Sequence, residues 1–220
     1  MDTTTRSLII VDGGTSDPST TQMLTDQIAG SVMELAKQRR LPVQAKSVAL
    51  KPLAKDIATA LTTGLLTPEL EQAAEMLRTA DGIIAATPIY KAGPSALFTG
   101  LFQVLDNDLF IGKPVLLGAT AGTARHALVI DDQIRPLFAY LRTLVTPTSV
   151  FATGDDIASP DLAARVERAA TELTLLMEAG FSSRLRDEAW ESYQHEYGSA
   201  GGTELGIDLS SDLMRLATGG

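Results

Sequence analysis

The chain has 220 residues, 45% of them hydrophobic, a formal net charge of −9 and no cysteine. That length and apolar content support one domain with a sizeable core, or one domain carrying an extension. The acidic balance gives no basic footprint for nucleic acid, and without cysteine there are no disulfides, thiolate nucleophiles or Cys-ligated metals.

The opening "MDTTTRSLIIVDGG" lacks the basic start and long apolar run of a secretion signal, and no run nears the roughly 18 apolar residues of a membrane span. A cytoplasmic location is expected. "SLIIVDGG" (7–14) reads as a buried strand ending in glycines. Residues 18–40 read as a helix, with Leu24, Ile28, Val32 and Leu35 on one face. Its "KQRR" end is a solvated C-terminus that suits the helix dipole. "PVQAKSVAL" (42–50) reads as a strand, and 52–64 and 68–80 as helices. "GIIAATPI" (82–89) is a strand, and "PSALFTGLFQVLD" (94–106) a helix with proline suited to its first turn. "KPVLLGATAG" (113–122) is a strand, and 130–144 a helix that tolerates or bends at Pro136. "TSVFATG" (148–154) is a fifth strand, and 159–180 a long helix. Five apolar strands alternating with helices predict an α/β fold with a doubly wound parallel sheet. Residues 1–180 form the predicted domain and 181–220 an extension.

Ligands of such sheets bind at the carboxyl ends of the strands. Strand one is followed by neither a dinucleotide fingerprint nor a Walker loop, but by the hydroxyls Thr15, Ser16, Ser19, Thr20 and Thr21. At a helix N-terminus these make a phosphate cradle without lysine. Ser19 to Gln22 also reads as a capping box, and capping alone would explain Ser19. Strand three leaves through Thr87-Pro88-Ile89-Tyr90-Lys91, a corner suited to the edge and face of a flat heteroaromatic ring. Strand four ends in "GATAGTARHAL" (118–128), whose small residues allow close backbone approach, with Arg125 and His126 beyond. One phosphate loop and two ring loops on neighbouring strands describe a mononucleotide with a large planar ring, and FMN fits that description. The acidic pairs Asp131-Asp132 and Asp155-Asp156 lack the further ligands that a metal would need.

Three stretches, "PSTTQML" (18–24), "DGIIAATPIYKAGPSALFTGLFQVLD" (81–106) and "GKPVLLGATAGTARHALVIDDQIRPLFAYL" (112–141), resemble the NAD(P)H-dependent FMN reductases of the flavodoxin-like superfamily. The likeness is to the alkanesulfonate-utilisation type that supplies reduced flavin to a monooxygenase, and its tail looks like a subgroup paired with luciferase-like monooxygenases. The resemblance implies a flavodoxin-like sheet with strand order 2-1-3-4-5. It implies FMN phosphate at Ser16, Ser19, Thr20 and Thr21. It implies the isoalloxazine against Pro88, Ile89, Tyr90, Lys91 and Thr120, Ala121, Gly122 and Thr123. Two departures stand out. "SDPSTT" replaces the family's arginine between serines, and "GPSALF" lacks the aromatic insertion that makes a helical bulge in some relatives.

The expected chemistry is flavin-borne: hydride passes from NADPH or NADH to FMN, and no acid or base side chain is firmly assigned. Lys91 or Arg125 would stabilise negative charge on the ring, and Arg125 and His126 would hold the nicotinamide nucleotide. Three rivals share the fold: a quinone or azo reductase with tightly held FMN, a flavodoxin-type electron carrier, and a receiver domain, against which Thr87-Pro88 stands where that class wants an aspartate after strand three. The tail carries Phe181, Trp190, Tyr193, Tyr197 and "LGIDLSSDLMRL" beyond a complete sheet, so a homodimer or homotetramer with the tail reaching a neighbour is expected.

Overall fold

The computed structural model describes residues 5–189, where the expected alternation becomes a parallel sheet covered by helices on both faces. Its centre is β1 (Arg6–Asp12), β3 (Gly82–Tyr90) and β5 (Pro114–Ala121), with β2 (Val43–Ala49) outside β1. Ile9 of β1 lies beside Lys46 of β2 and Ile83 of β3, and Ile84 beside Leu116 of β5. β3 is buried from Gly82 to Ile89, as its unbroken apolar run predicts. β2 departs from that pattern: among its residues only Val48 is buried, because it has one neighbour strand and presents Gln44 and Lys46 to solvent.

Two short strands lie end to end along β5. β6 (Leu144–Val145), where the sequence predicted the end of a helix, pairs with Pro114 and Val115, and β7 (Val150–Thr153), within the predicted fifth strand, pairs with Gly118 to Ala121. Pro147 falls between them and has no N–H to give to the ladder. The Thr148 N–H is met instead by the Glu172 carboxylate at 2.7 Å.

β1 shows the period-two division of the core. Leu8 faces α1 (Thr20–Gln38) and α6 (Pro160–Glu178), packing with Leu24, Ile28, Val166 and Leu173. Ile9 and Val11 face the other layer, which holds α2 (Ala54–Thr63), α3 (Pro68–Arg78), α4 (Ala96–Val104) and α5 (Arg135–Tyr140). There Phe102 stacks edge-on against Phe98 and Phe138 at 5.0 and 4.7 Å, geometry that aromatic quadrupoles favour. β3 turns back through a short strand, β4 (Gly93–Pro94), before α4 begins. α4 is a regular helix without a bulge, but a π-helical segment occurs at Ile130–Ile134, just ahead of α5. The expected single helix over 130–144 is therefore a π turn and a short α-helix, with Pro136 in the first turn of the latter.

α7 (Phe181–Ala189) opens the predicted extension and packs where the strands begin. A side chain at Gly112 would collide with Leu185, and Arg186 donates to the Arg78 carbonyl at 3.3 Å. Beneath α7 the buried Lys113 donates to the carbonyls of Arg78 (2.9 Å) and Ala80 (2.8 Å), closing the C-terminus of α3. Trp190, Tyr193, Tyr197 and the "LGIDLSSDLMRL" run lie outside the described residues. Among the described residues no helix is long and apolar enough to cross a membrane.

Candidate functional site

The three predicted loops meet at the carboxyl ends of β1, β3 and β5. The first runs tightly against β3: the Gly13 N–H donates to the Ala86 carbonyl at 2.8 Å, and a Cβ on Gly13 would stand 2.9 Å from that oxygen. A Cβ on Gly14 would collide with the Ser19 hydroxyl. Both glycines are thus required by close approach. Asp12, buried at the end of β1, shapes the turn by accepting from the Gly14 N–H at 2.9 Å. Burial pushes its carboxyl above the usual range against the pull of that hydrogen bond, and Asp26 adds to the rise.

The hydroxyls of this loop divide by task. Ser19 is the N-cap of α1 and accepts from the Gln22 N–H at 3.2 Å. Thr21 is buried and bonds Thr120 at 2.7 Å. Thr15 bonds the Tyr90 phenol at 2.9 Å. Ser16 is exposed and Thr20 half-buried, and neither hydroxyl meets a protein partner among the described residues. The N–H groups of Thr20 and Thr21, in the first turn, have no protein acceptor there either. Unmet helix N–H groups, two open hydroxyls and close-approaching glycines are the groups that an anion at a helix start requires.

The second loop is a hairpin. Ile89 pairs with Pro94 and Tyr90 with Gly93, so Lys91 and Ala92 form a two-residue turn. Both have positive φ, 51° and 65°. That region costs a residue with a Cβ about 1–2 kcal/mol, and turns of this shape favour Asn-Gly. Thr87, expected among the ring contacts, is fully buried as a strut under the hairpin. Its hydroxyl accepts from the Ser95 N–H at 3.1 Å and donates to the Pro88 carbonyl at 3.0 Å. Pro88 and Ile89 are also buried, Tyr90 is half exposed, and Lys91 is exposed at the tip.

In the third loop Thr120 is buried beside Pro88, Ala121 is half-buried, and Gly122, Thr123 and Arg125 are exposed, with His126 half-buried. Gln133 of the π segment reaches back to the hairpin, its amide donating to the Ala92 carbonyl at 2.9 Å. Thr15–Tyr90 and Thr21–Thr120 therefore tie the first loop to the other two, and Gln133–Ala92 ties the hairpin to the π segment that follows the third. One carboxylate of each acidic pair is engaged: Asp131 takes Arg135 at 2.9 Å and Asp156 takes the Thr153 hydroxyl at 2.6 Å. A groove of about 530 Å³ between α1 and α6, lined by Gln27, Glu34 and Glu167 among others, has no residue of the three loops and no Lys or Arg in its lining.

Residues 6–157 match the family model described as NADPH-dependent FMN reductase. The chain belongs to that family. Membership makes it an oxidoreductase of flavin, with FMN and a reduced nicotinamide nucleotide as its small molecules. It is 34% identical to the NADH-dependent FMN reductase SfnE of Pseudomonas putida over 81% of this chain and 96% of that one. It is also 34% identical to an FMN reductase (NADPH) of Pseudomonas aeruginosa over 74% and 88%. Among solved structures, an oxidoreductase from Corynebacterium diphtheriae superposes with a TM-score of 0.77 at 38% identity, covering 80% of this chain and 98% of that one.

Three residues of the site escape sequence reasoning. Asp12 carried a signal, an acid closing an apolar strand. Ser95 carried another, a hydroxyl one residue before a helix. Gln133 carried none, because its role depends on a π turn that brings it to a strand hairpin 41 residues earlier.

Proposed function

We propose that this cleft reduces FMN with NADH or NADPH. The observation that carries the reading is the cradle at the start of α1, where unmet N–H groups and open hydroxyls adjoin two loops of small and aromatic residues. Ser16, Thr20 and the first-turn N–H groups hold the phosphate, with Ser19 keeping the helix end formed. Ile89, Tyr90 and Lys91 border one edge of the ring, and residues 120–123 the other. Bound FMN supplies the hydride acceptor. The chain's own contribution is position and field: Lys91 and Arg125 set positive charge beside the cleft, and Arg125 and His126 receive the nucleotide phosphates.

The relatives named for NADH and for NADPH leave both donors in play. A flavin-dependent monooxygenase is the proposed consumer of the product, and a homodimer or homotetramer using the tail the proposed assembly. Purified protein with each nucleotide and a range of FMN, followed by loss of reduced-nicotinamide absorbance, tests the activity. Flavin-dependent oxidation is expected. No oxidation with either nucleotide would replace the enzyme by an electron carrier. Light scattering on the full chain and on one ending at Ala189 tests the assembly; a full-length monomer would refute it.

A further inference from the structure

The tip of the ring corner is held in a backbone conformation that its own residues disfavour. Lys91 and Ala92 both carry a Cβ, yet both occupy the positive-φ region that glycine and asparagine favour in such turns. The foot of the hairpin is secured by Thr87 and Ser95. At the tip, the side-chain bond comes from Gln133, whose amide donates to the Ala92 carbonyl at 2.9 Å. Its position follows from the π segment, closed by the Arg135 N–H on the Ile130 carbonyl, with Ile130 and Ile134 anchored in the core. Gly93 leaves room for it: a Cβ there would stand 3.3 Å from the Gln133 amide oxygen.

We propose that Gln133 is a positioning residue for flavin. It holds the Lys91–Ala92 turn in the strained form that sets the Ile89–Lys91 edge against the ring. It acts through the Ala92 carbonyl and is assigned no contact with either substrate. The inference rests on FMN lying at this corner, as proposed above.

The test uses the full chain, the variants Gln133→Ala and Ala92→Gly, and the double variant. FMN affinity is read by flavin fluorescence titration, and KM for FMN and for the nicotinamide nucleotide by steady-state rates. Tryptic cleavage after Lys91 without flavin is read by mass spectrometry. Loss of one neutral hydrogen bond predicts FMN binding weakened about three- to tenfold in Gln133→Ala. The nicotinamide KM stays as in the parent, and cleavage after Lys91 quickens. Glycine takes the positive φ without strain, so Ala92→Gly in the Gln133→Ala background restores FMN affinity. Unchanged FMN binding in Gln133→Ala overturns the proposal, as does a loss that Ala92→Gly does not recover or an equal rise in both KM values. If the parent itself binds no FMN, the functional reading fails, and the cleavage rate alone decides whether Gln133 holds the turn.

Discussion

The hydroxyls of Thr21 and Thr120 lie 2.7 Å apart although the residues are 99 positions apart and both are buried. The bond joins the first turn of α1 to the end of β5, so the phosphate loop and one ring loop share a fixed separation. Removing one partner strands a buried hydroxyl, whereas removing both leaves apolar groups of the same shape. Thr21→Val or Thr120→Val is expected to cost about 1–3 kcal/mol, and the double variant less than the sum. Denaturant unfolding of all four proteins gives the coupling, and simple additivity would show that the two hydroxyls act independently.

The division of labour among the loop hydroxyls makes a second prediction. Ser16→Ala and Thr20→Ala should each weaken FMN by about 0.5–1.5 kcal/mol, rising to about 3 where the bond is to the charged phosphate. Riboflavin, which has no phosphate, should bind as before. Ser19→Ala should instead lower stability by about 1 kcal/mol through loss of the cap. Calorimetric titration with both flavins separates these effects; equal losses for FMN and riboflavin would mean that the loop serves only the helix.

Lys113 gives a pH dependence. Burial lowers its pKa from 10.5 to about 7; Arg186 and Arg78 add to the fall and Asp81 opposes it. The folded chain gives up this proton near pH 7 and the unfolded chain near its ordinary value. Between those points the unfolded state binds more protons, so stability rises with pH, and below them the contribution is flat. The stability of the parent minus that of Lys113→Met should therefore rise across that window by on the order of a few kcal/mol. Parallel unfolding curves for the two proteins at every pH would contradict this.

Asp12 works in the opposite sense. Its raised carboxyl pKa means that the folded state holds its proton longer than the unfolded state as pH climbs. Stability from this group is full below the ordinary carboxylate value and is lost as pH rises through the raised one. Asp12→Asn keeps an oxygen for the Gly14 N–H and removes the charge. Thermal melts should show it more stable than the parent at neutral pH, with the gap closing in acid.

The placement of α7 predicts where the chain can be shortened. Cutting after Gly180 takes Leu185 from above Gly112 and Arg186 from the Arg78 carbonyl. A chain ending there should be less stable than one ending at Ala189 by roughly 2 kcal/mol, the value of burying a large aliphatic side chain. Matching melting temperatures would show that α7 adds nothing to the body.

The central strands were legible because burial on both faces leaves an unbroken apolar run, as in "GIIAAT". The outer strand was legible only in part: β7 falls within the predicted 148–154, but β6 lies outside it, and four residues around Pro147 separate two pairings that only β5 reveals. At the site, the loops were legible from their position after apolar runs. The fate of each hydroxyl was not. Ser16 and Ser19 are the same residue type three positions apart, and only the helix start decides which is open and which is a cap. Thr87 looked like a ring contact because it precedes Pro88, yet the returning hairpin buries it. Gln133 depended on a register shift within a helix, which no local pattern announces.

The two flanks of the sheet share one more property. β2 sets Gln44, Lys46 and Ser47 in the open, and β6 and β7 are too short and too interrupted to template another strand. Neither margin invites a second chain to continue the ladder. Among the described residues, then, helix faces rather than strand edges are the surfaces suited to self-association, and lateral growth of the sheet is disfavoured on both sides.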